Sequence, residues 1–153
     1  MNVPDPAPQH LWLARLLGEW TWMTEAVPGH DHPVMTGTET FRPIGPLWVQ
    51  GIGGADGQIS QMTLGFDTRT GRFNGTWLGA MMAHLWVYDG QLDASGTRLS
   101  LDSTGPSFAD DGTLARYRDE IEIVSDNERV LRASYENADG TWTHFMTTRY
   151  RRA

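Results

Sequence analysis

Three ionisable side chains near the end of the chain are the ones whose types and spacing suit chemistry: Asp119, Tyr135 and His144. They become neighbours only if three consecutive strands pair in one particular register. Asp139-Gly140 reads as a two-residue hairpin, since both central positions of a type I′ turn need positive φ. That turn sets Tyr135 opposite His144 and Ala133 opposite Met146. In the hairpin around Ser125-Asp126-Asn127-Glu128, setting Val124 opposite Val130 pairs Glu122 with Arg132 and Arg118 with Glu136 on one face. The same choice pairs Ile123 with Leu131 and Ile121 with Ala133 on the other. The charged face turns to water. The inner face then carries Asp119 opposite Tyr135 in a row with His144, flanked by Tyr117 and Trp142. An unpaired carboxylate in an apolar interior is costly unless it finds partners or takes up a proton. The row is therefore either a structural hydrogen-bond network or a patch that grips a ligand or works as an acid/base pair.

A second register comes from the segment Arg72 to Gln91. Setting Trp77 opposite His84 places Gly75 opposite Trp86 and Phe73 opposite Tyr88, so an indole lies over a strand position with no side chain. This aromatic row, with His84, is assigned to the interior. Glu39 shares a face with Gly37 and Phe41, while Thr36, Thr38, Thr40 and Arg42 make a face suited to water, which turns Glu39 inward.

The elements that must position these residues are almost all strands. Pro8 to Leu17 has the apolar spacing of one short helix, with Pro8 in its first turn and Gly18 as its stop. From Gly18 onward the hydrophobic pattern has period two and is broken by Gly, Asp, Asn or Pro every eight to twelve residues or so, as in all-β sandwiches and barrels. Strands are expected to start near Glu19, Val34, Leu47, Ile59, Arg72, Ala83, Thr97, Leu114, Arg129 and Thr141. The fold expected is an all-β, closed antiparallel up-and-down barrel of about ten strands with one short N-terminal helix. It forms one domain over residues 1–153, with the helix at about 8–17 and the barrel at about 19–151.

Composition narrows the function. The net charge is -7 and every basic residue is Arg, so general nucleic-acid binding is not expected. No apolar run approaches the roughly 20 residues that span a bilayer, and the N-terminus lacks the basic and apolar regions of a secretory signal. With no cysteine, neither thiolate metal sites nor thiol nucleophiles are available, and a cytoplasmic location is expected. Seven Trp imply a large core, an aromatic-lined cavity, or both.

Several motifs are set aside. Gly51 to Gly57 runs into a strand and not a helix, so it is a hairpin loop and not a phosphate cradle. His30-Asp31-His32 lacks a third ligand at a recognisable spacing, so no metal site is expected. No Gly-x-Ser-x-Gly elbow occurs.

His10-Leu11-Trp12-Leu13 leading to Leu17-Gly18-Glu19-Trp20 resembles the opening of an uncharacterised bacterial family, domain-of-unknown-function family 1579. The likeness continues through Gly37-Thr38-Glu39-Thr40, Leu64-Gly65-Phe66-Asp67, Phe73 to Trp77, His84 to Gly90, Gly105-Pro106, Tyr117-Arg118-Asp119 and Tyr150-Arg151-Arg152. That family is similar in outline to the calycins, small barrels that include lipocalins, fatty-acid-binding proteins and nitrobindins. The resemblance implies a ligand-holding barrel and no established activity. Nitrobindin-like barrels carry a haem-ligating histidine on the last strand, which makes haem binding through His144 one alternative.

The function expected is binding of a small, largely apolar or aromatic molecule, with no cofactor. Trp77, Trp86, Tyr117 and Trp142 supply contact area, while Glu39, His84, Asp119, Tyr135 and His144 orient a polar end. The alternative is a non-redox enzyme of the isomerase, cyclase or hydratase type, with His144 as base or acid, Asp119 as its charge partner and Tyr135 as donor. A homodimer is left open.

Overall fold

The computed structural model describes residues 1–153. Helix α1 spans Pro8–Ala14. Ten strands follow: β1 Gly18–Glu25, β2 Thr36–Ile44, β3 Trp48–Ala55, β4 Gln58–Asp67, β5 Arg72–Gly79, β6 Trp86–Leu92, β7 Arg98–Pro106, β8 Leu114–Ser125, β9 Glu128–Glu136 and β10 Trp142–Arg152. Each pairs antiparallel with its neighbours in sequence, and β1 pairs with β10, closing the barrel. Closure leaves no unpaired strand edge, which lets one sheet enclose a core by itself. No helix is long and apolar enough to cross a membrane.

The expected strands all form, with starts within three residues of those read from the pattern. The helix is shorter than expected, ending at Ala14 and not Leu17. Most of the glycine-rich stretch Gly51 to Gly57 is strand and not loop. Its turn is only Asp56-Gly57, with φ of 51° and 78°, and these are the two positive-φ residues of a type I′ hairpin. At Asp139-Gly140, by contrast, only Gly140 has positive φ, and Asn137 N–H donates to Thr141 O at 2.7 Å. That loop has three residues, a different geometry from the two-residue turn expected there.

α1 plugs one end of the barrel. Trp12, Leu13 and Leu16 are buried in a core with Trp20, Phe41, Phe73, Leu99, Ile121, Ile123 and Tyr150. Trp12 Nε1 donates to Gly96 O at 2.8 Å in the β6–β7 turn. His10 Nδ1 accepts from Ala7 N–H at 2.9 Å, so its Nε2 carries the proton and donates to Phe66 O at 3.0 Å. These bonds tie the plug to the β6–β7 turn and to the end of β4.

The last strand locks the same end. Arg152 donates to Leu17 O at 2.6 Å, to Arg15 O at 2.9 Å and to Asp126 O at 2.6 Å, and its guanidinium lies 4.3 Å from the Trp20 ring. The carbonyls freed where α1 ends are thereby satisfied by the far end of the barrel. Gly18 makes room for this contact: its φ is +118°, and a Cβ there would meet Arg152 Nη1 at 2.7 Å. Gly18→Ala is expected to cost about 1–3 kcal/mol through backbone strain and loss of the lock. Urea denaturation reads this as a lower midpoint, and an unchanged midpoint would mean that the lock yields freely.

On the outer face, Arg98 and Arg132 meet Glu122 at 2.6 and 3.1 Å, and Arg118 meets Asp102 at 2.7 Å. Val130, turned outward opposite Glu122 and Arg149, is nonetheless fully buried. Long charged side chains cover apolar surface with their stems while keeping their ends in water.

Candidate functional site

The end of the barrel opposite α1 is formed by the β1–β2 loop, the turns after β3 and β9, and the segments 80–85 and 107–113. Inward-facing positions here carry Trp22, Trp77, Trp86, Tyr117, Tyr135 and Phe145. All except Tyr117 are only half-buried. Trp86 meets Tyr117 edge-on at 5.0 Å, and Phe145 packs on Tyr135 at 5.8 Å and on Tyr117 at 6.2 Å. The exposed Phe108 leans on Tyr117, Tyr135 and Phe145 from its loop. Gly105 admits the Trp86 ring, whose outer carbons occupy the space a Cβ would take.

One step deeper lies Asp119. It is opposite Leu101 on β7 and Ala133 on β9, with Ile121 and Leu99 as the next layer. Tyr88 on β6 donates to Asp119 Oδ2 at 2.6 Å, and Oδ1 takes no hydrogen bond from the protein. Burial pushes the Asp119 carboxyl up to about 6, with the Tyr88 hydrogen bond pulling against it. Burial and the neighbouring carboxylate raise the Tyr88 phenol well above the usual tyrosine range. Although enclosed by the barrel, Asp119 keeps some accessible surface. Above it, Tyr117 donates to Pro106 O at 2.5 Å, and burial also raises its phenol.

The expected row of Asp119, Tyr135 and His144 does not form. β8 and β9 pair two residues away from the expected register, so Asp119 faces Ala133 and Tyr135 faces Tyr117. A shift of two keeps every side chain on its face, so hydrophobic patterning cannot detect it. It is absorbed by an irregularity between Ile123 and Ser125. β10 carries a bulge between His144 and Met146. Ala133 does pair with Met146, but Tyr135 meets Thr143, and His144 turns outward opposite Ser134. There it is exposed, with Nε2 2.7 Å from Thr147 Oγ1 and 2.9 Å from Met146 O. Its ring is on the wrong side of the sheet to ligate a haem held inside or to act as a base beside Asp119.

Trp142 is also outside, under the guanidinium of Arg118 at 4.2 Å. Arg118 itself pairs with Asp102, and Glu136 pairs with Arg116 at 3.1 Å. In the other hairpin, Trp77 faces Trp86 and Gly75 faces Tyr88, again two residues from expectation. His84 precedes β6 at the rim, where Nε2 lies 3.0 Å from Thr104 O and the ring meets Trp86 at 4.8 Å.

Glu39 does point inward, but at the plugged end, where it pairs with Arg129. Arg129 is 3% exposed, with its guanidinium 3.6 Å from the Tyr150 ring and 4.8 Å from Trp20. Sequence reading overlooked Arg129, although the parity that turns Leu131 and Ala133 inward turns Arg129 inward as well. It also left out Tyr88 as the partner of Asp119. A surface hollow of about 260 Å³ opens nearby between Arg15, Trp20, Asp126, Arg129 and Arg152. Its guanidiniums are engaged by Glu39, by carbonyls, and in Arg15 by Asp126 at 3.7 Å, so it belongs to the closure.

The structure thus brings Trp77, Trp86, Tyr117, Asp119 and Tyr135 to one end of the interior and keeps His84 at its rim. Glu39, Trp142 and His144 lie elsewhere.

Among solved structures, the chain is similar to Rv2717c from M. tuberculosis at 14% identity and a TM-score of 0.62, covering 97% of this chain and 99% of that one. This likeness concerns the fold alone. A redesigned beta barrel aligns at 14% identity with a TM-score of 0.39, over 92% of this chain and 93% of that chain, too low to bear on the fold. No curated protein matches the sequence. A family model matches residues 5–152, nearly the full length that forms the plugged barrel, and the chain belongs to that family, described as Protein of unknown function (DUF1579).

Proposed function

We propose that this barrel is a binding protein that holds a small, largely apolar or aromatic molecule in its interior, entering through the aromatic end. The observation that carries this reading is the ring of inward-facing aromatic side chains left half-buried above Asp119. Aromatic surface is costly to leave in contact with water, and the opposite end of the same barrel buries Trp12, Trp20, Phe41, Phe73 and Tyr150. An apolar lining with a few convergent polar groups is the usual form of a small-molecule site.

Titration with 1-nitronaphthalene, followed by calorimetry and by Trp quenching, tests the proposal. Saturable binding at one site is expected, weakened roughly tenfold in Trp77→Ala and in Trp86→Ala by the lost contact area. Binding that is absent, or equal in both variants and the parent, would remove the proposal.

A further inference from the structure

The charge at the bottom of the aromatic end has no counterpart. Asp119 is enclosed, its only protein partner is the Tyr88 hydroxyl on Oδ2, and Oδ1 is free. The inward-facing cations, Arg129 and Arg152, both lie at the plugged end, engaged by Glu39 and by backbone carbonyls. A buried carboxylate is ordinarily matched by a cation or by several donors. The rings just above it present electron-rich faces, which attract cations further. A net charge of -7 on the chain acts in the same direction over longer range.

We infer that the interior takes a small protonated amine, its ammonium against the free oxygen of Asp119 and its apolar body among Trp77, Trp86 and Tyr135. This rests on the proposal that the barrel holds a small molecule, and it names that molecule's chemical class. It also excludes carboxylic acids, whose charge would meet a like charge at the bottom of the site.

Three probes with one apolar body separate the possibilities: 4-phenylbutylamine, 4-phenylbutan-1-ol and 4-phenylbutyrate, titrated calorimetrically at pH 7.5. The amine is expected to bind at least about tenfold more tightly than the alcohol, as a charge-assisted hydrogen bond warrants, and the acid least of all. In Asp119→Asn, with the fold checked by near-ultraviolet circular dichroism, the amine should bind no more tightly than the alcohol measured in the same variant. A second measurement needs no variant. At pH 5, where the Asp119 carboxyl is mostly protonated, the advantage of the amine should collapse. Of the other titratable groups turned toward this region, Tyr88, Tyr117 and Tyr150 are raised by burial and keep their protons over that interval. Tyr135 and His84 stand farther out, and Asp119→Asn titrated at the same two pH values subtracts whatever they contribute. Alcohol or acid binding as tightly as the amine would overturn the inference and leave a binding barrel in place. An amine preference surviving in Asp119→Asn would also overturn it. If none of the three binds, both readings fall.

Discussion

Arg129→Met is expected to lose about 3–5 kcal/mol of stability, because it strands the Glu39 carboxylate where little water reaches it. Glu39 and Arg129 have side chains 10% and 3% exposed and are paired with each other inside the plugged end. Arg129 also stacks on Tyr150 and lies over Trp20 and Phe41, so its planar cation is held by three rings as well as one carboxylate. Methionine replaces the stem and none of these contacts. The measurement is a urea midpoint at constant m. The double variant Glu39→Met with Arg129→Met should recover much of the loss, since two apolar side chains leave no charge stranded. A double variant no better than Arg129→Met alone would mean that the rings, and not the ion pair, hold Arg129 in place.

Asp119→Asn is expected to act in the opposite direction. The folded protein holds this carboxyl at about 6, against an ordinary value of 3.8, so the folded state binds the proton more tightly than the unfolded one. Stability from this group is therefore fully present below about pH 4 and is lost as pH rises through about 6, by roughly 2–3 kcal/mol in all. Asparagine keeps the shape and accepts from Tyr88 without the charge. The variant should match the parent near pH 4 and exceed it by about 2–3 kcal/mol above pH 7. The other perturbed carboxyls are all lowered, Asp67, Asp89 and Glu122 by arginine partners and Asp93, Asp111 and Asp139 by hydroxyl and backbone donors, and they contribute the reverse slope at lower pH. Subtracting the two pH profiles isolates Asp119, and parallel profiles would sink the prediction. The proposed amine site would hold its cation at the expense of fold stability, the usual exchange between function and fold.

The barrel, its strand number and the faces of β8 and β9 were legible because each depends on period-two alternation, whereas the bulge in β10 reverses that alternation and turns Trp142 and His144 to the face opposite the one expected. Tyr117, Asp119, Ile121, Leu131, Ala133 and Tyr135 all face inward as their parity requires. Register was not legible. It depends on where a strand holds one residue too many, and nothing in the residues around Val124 or Phe145 marks them as such. Hence Asp119 was assigned to the interior correctly and given the wrong neighbours. The long-range partners, Tyr88 for Asp119 and Glu39 for Arg129, join strands that are not adjacent in the sheet, beyond the reach of hairpin geometry. The type I′ turn was placed on the wrong Asp-Gly because the dipeptide suits both loops, and strand length decides which one uses it.

The irregularity in β10 makes Phe145 a supernumerary residue: the rungs on either side of it, Ala133 with Met146 and Ser134 with His144, are consecutive on β9. Its backbone contributes nothing to the ladder that its neighbours do not already supply, while its phenyl packs on Tyr117 and Tyr135. A chain one residue shorter at that point would keep every rung and lose that ring, so chain length in β10 sets how much aromatic surface fills this end of the barrel.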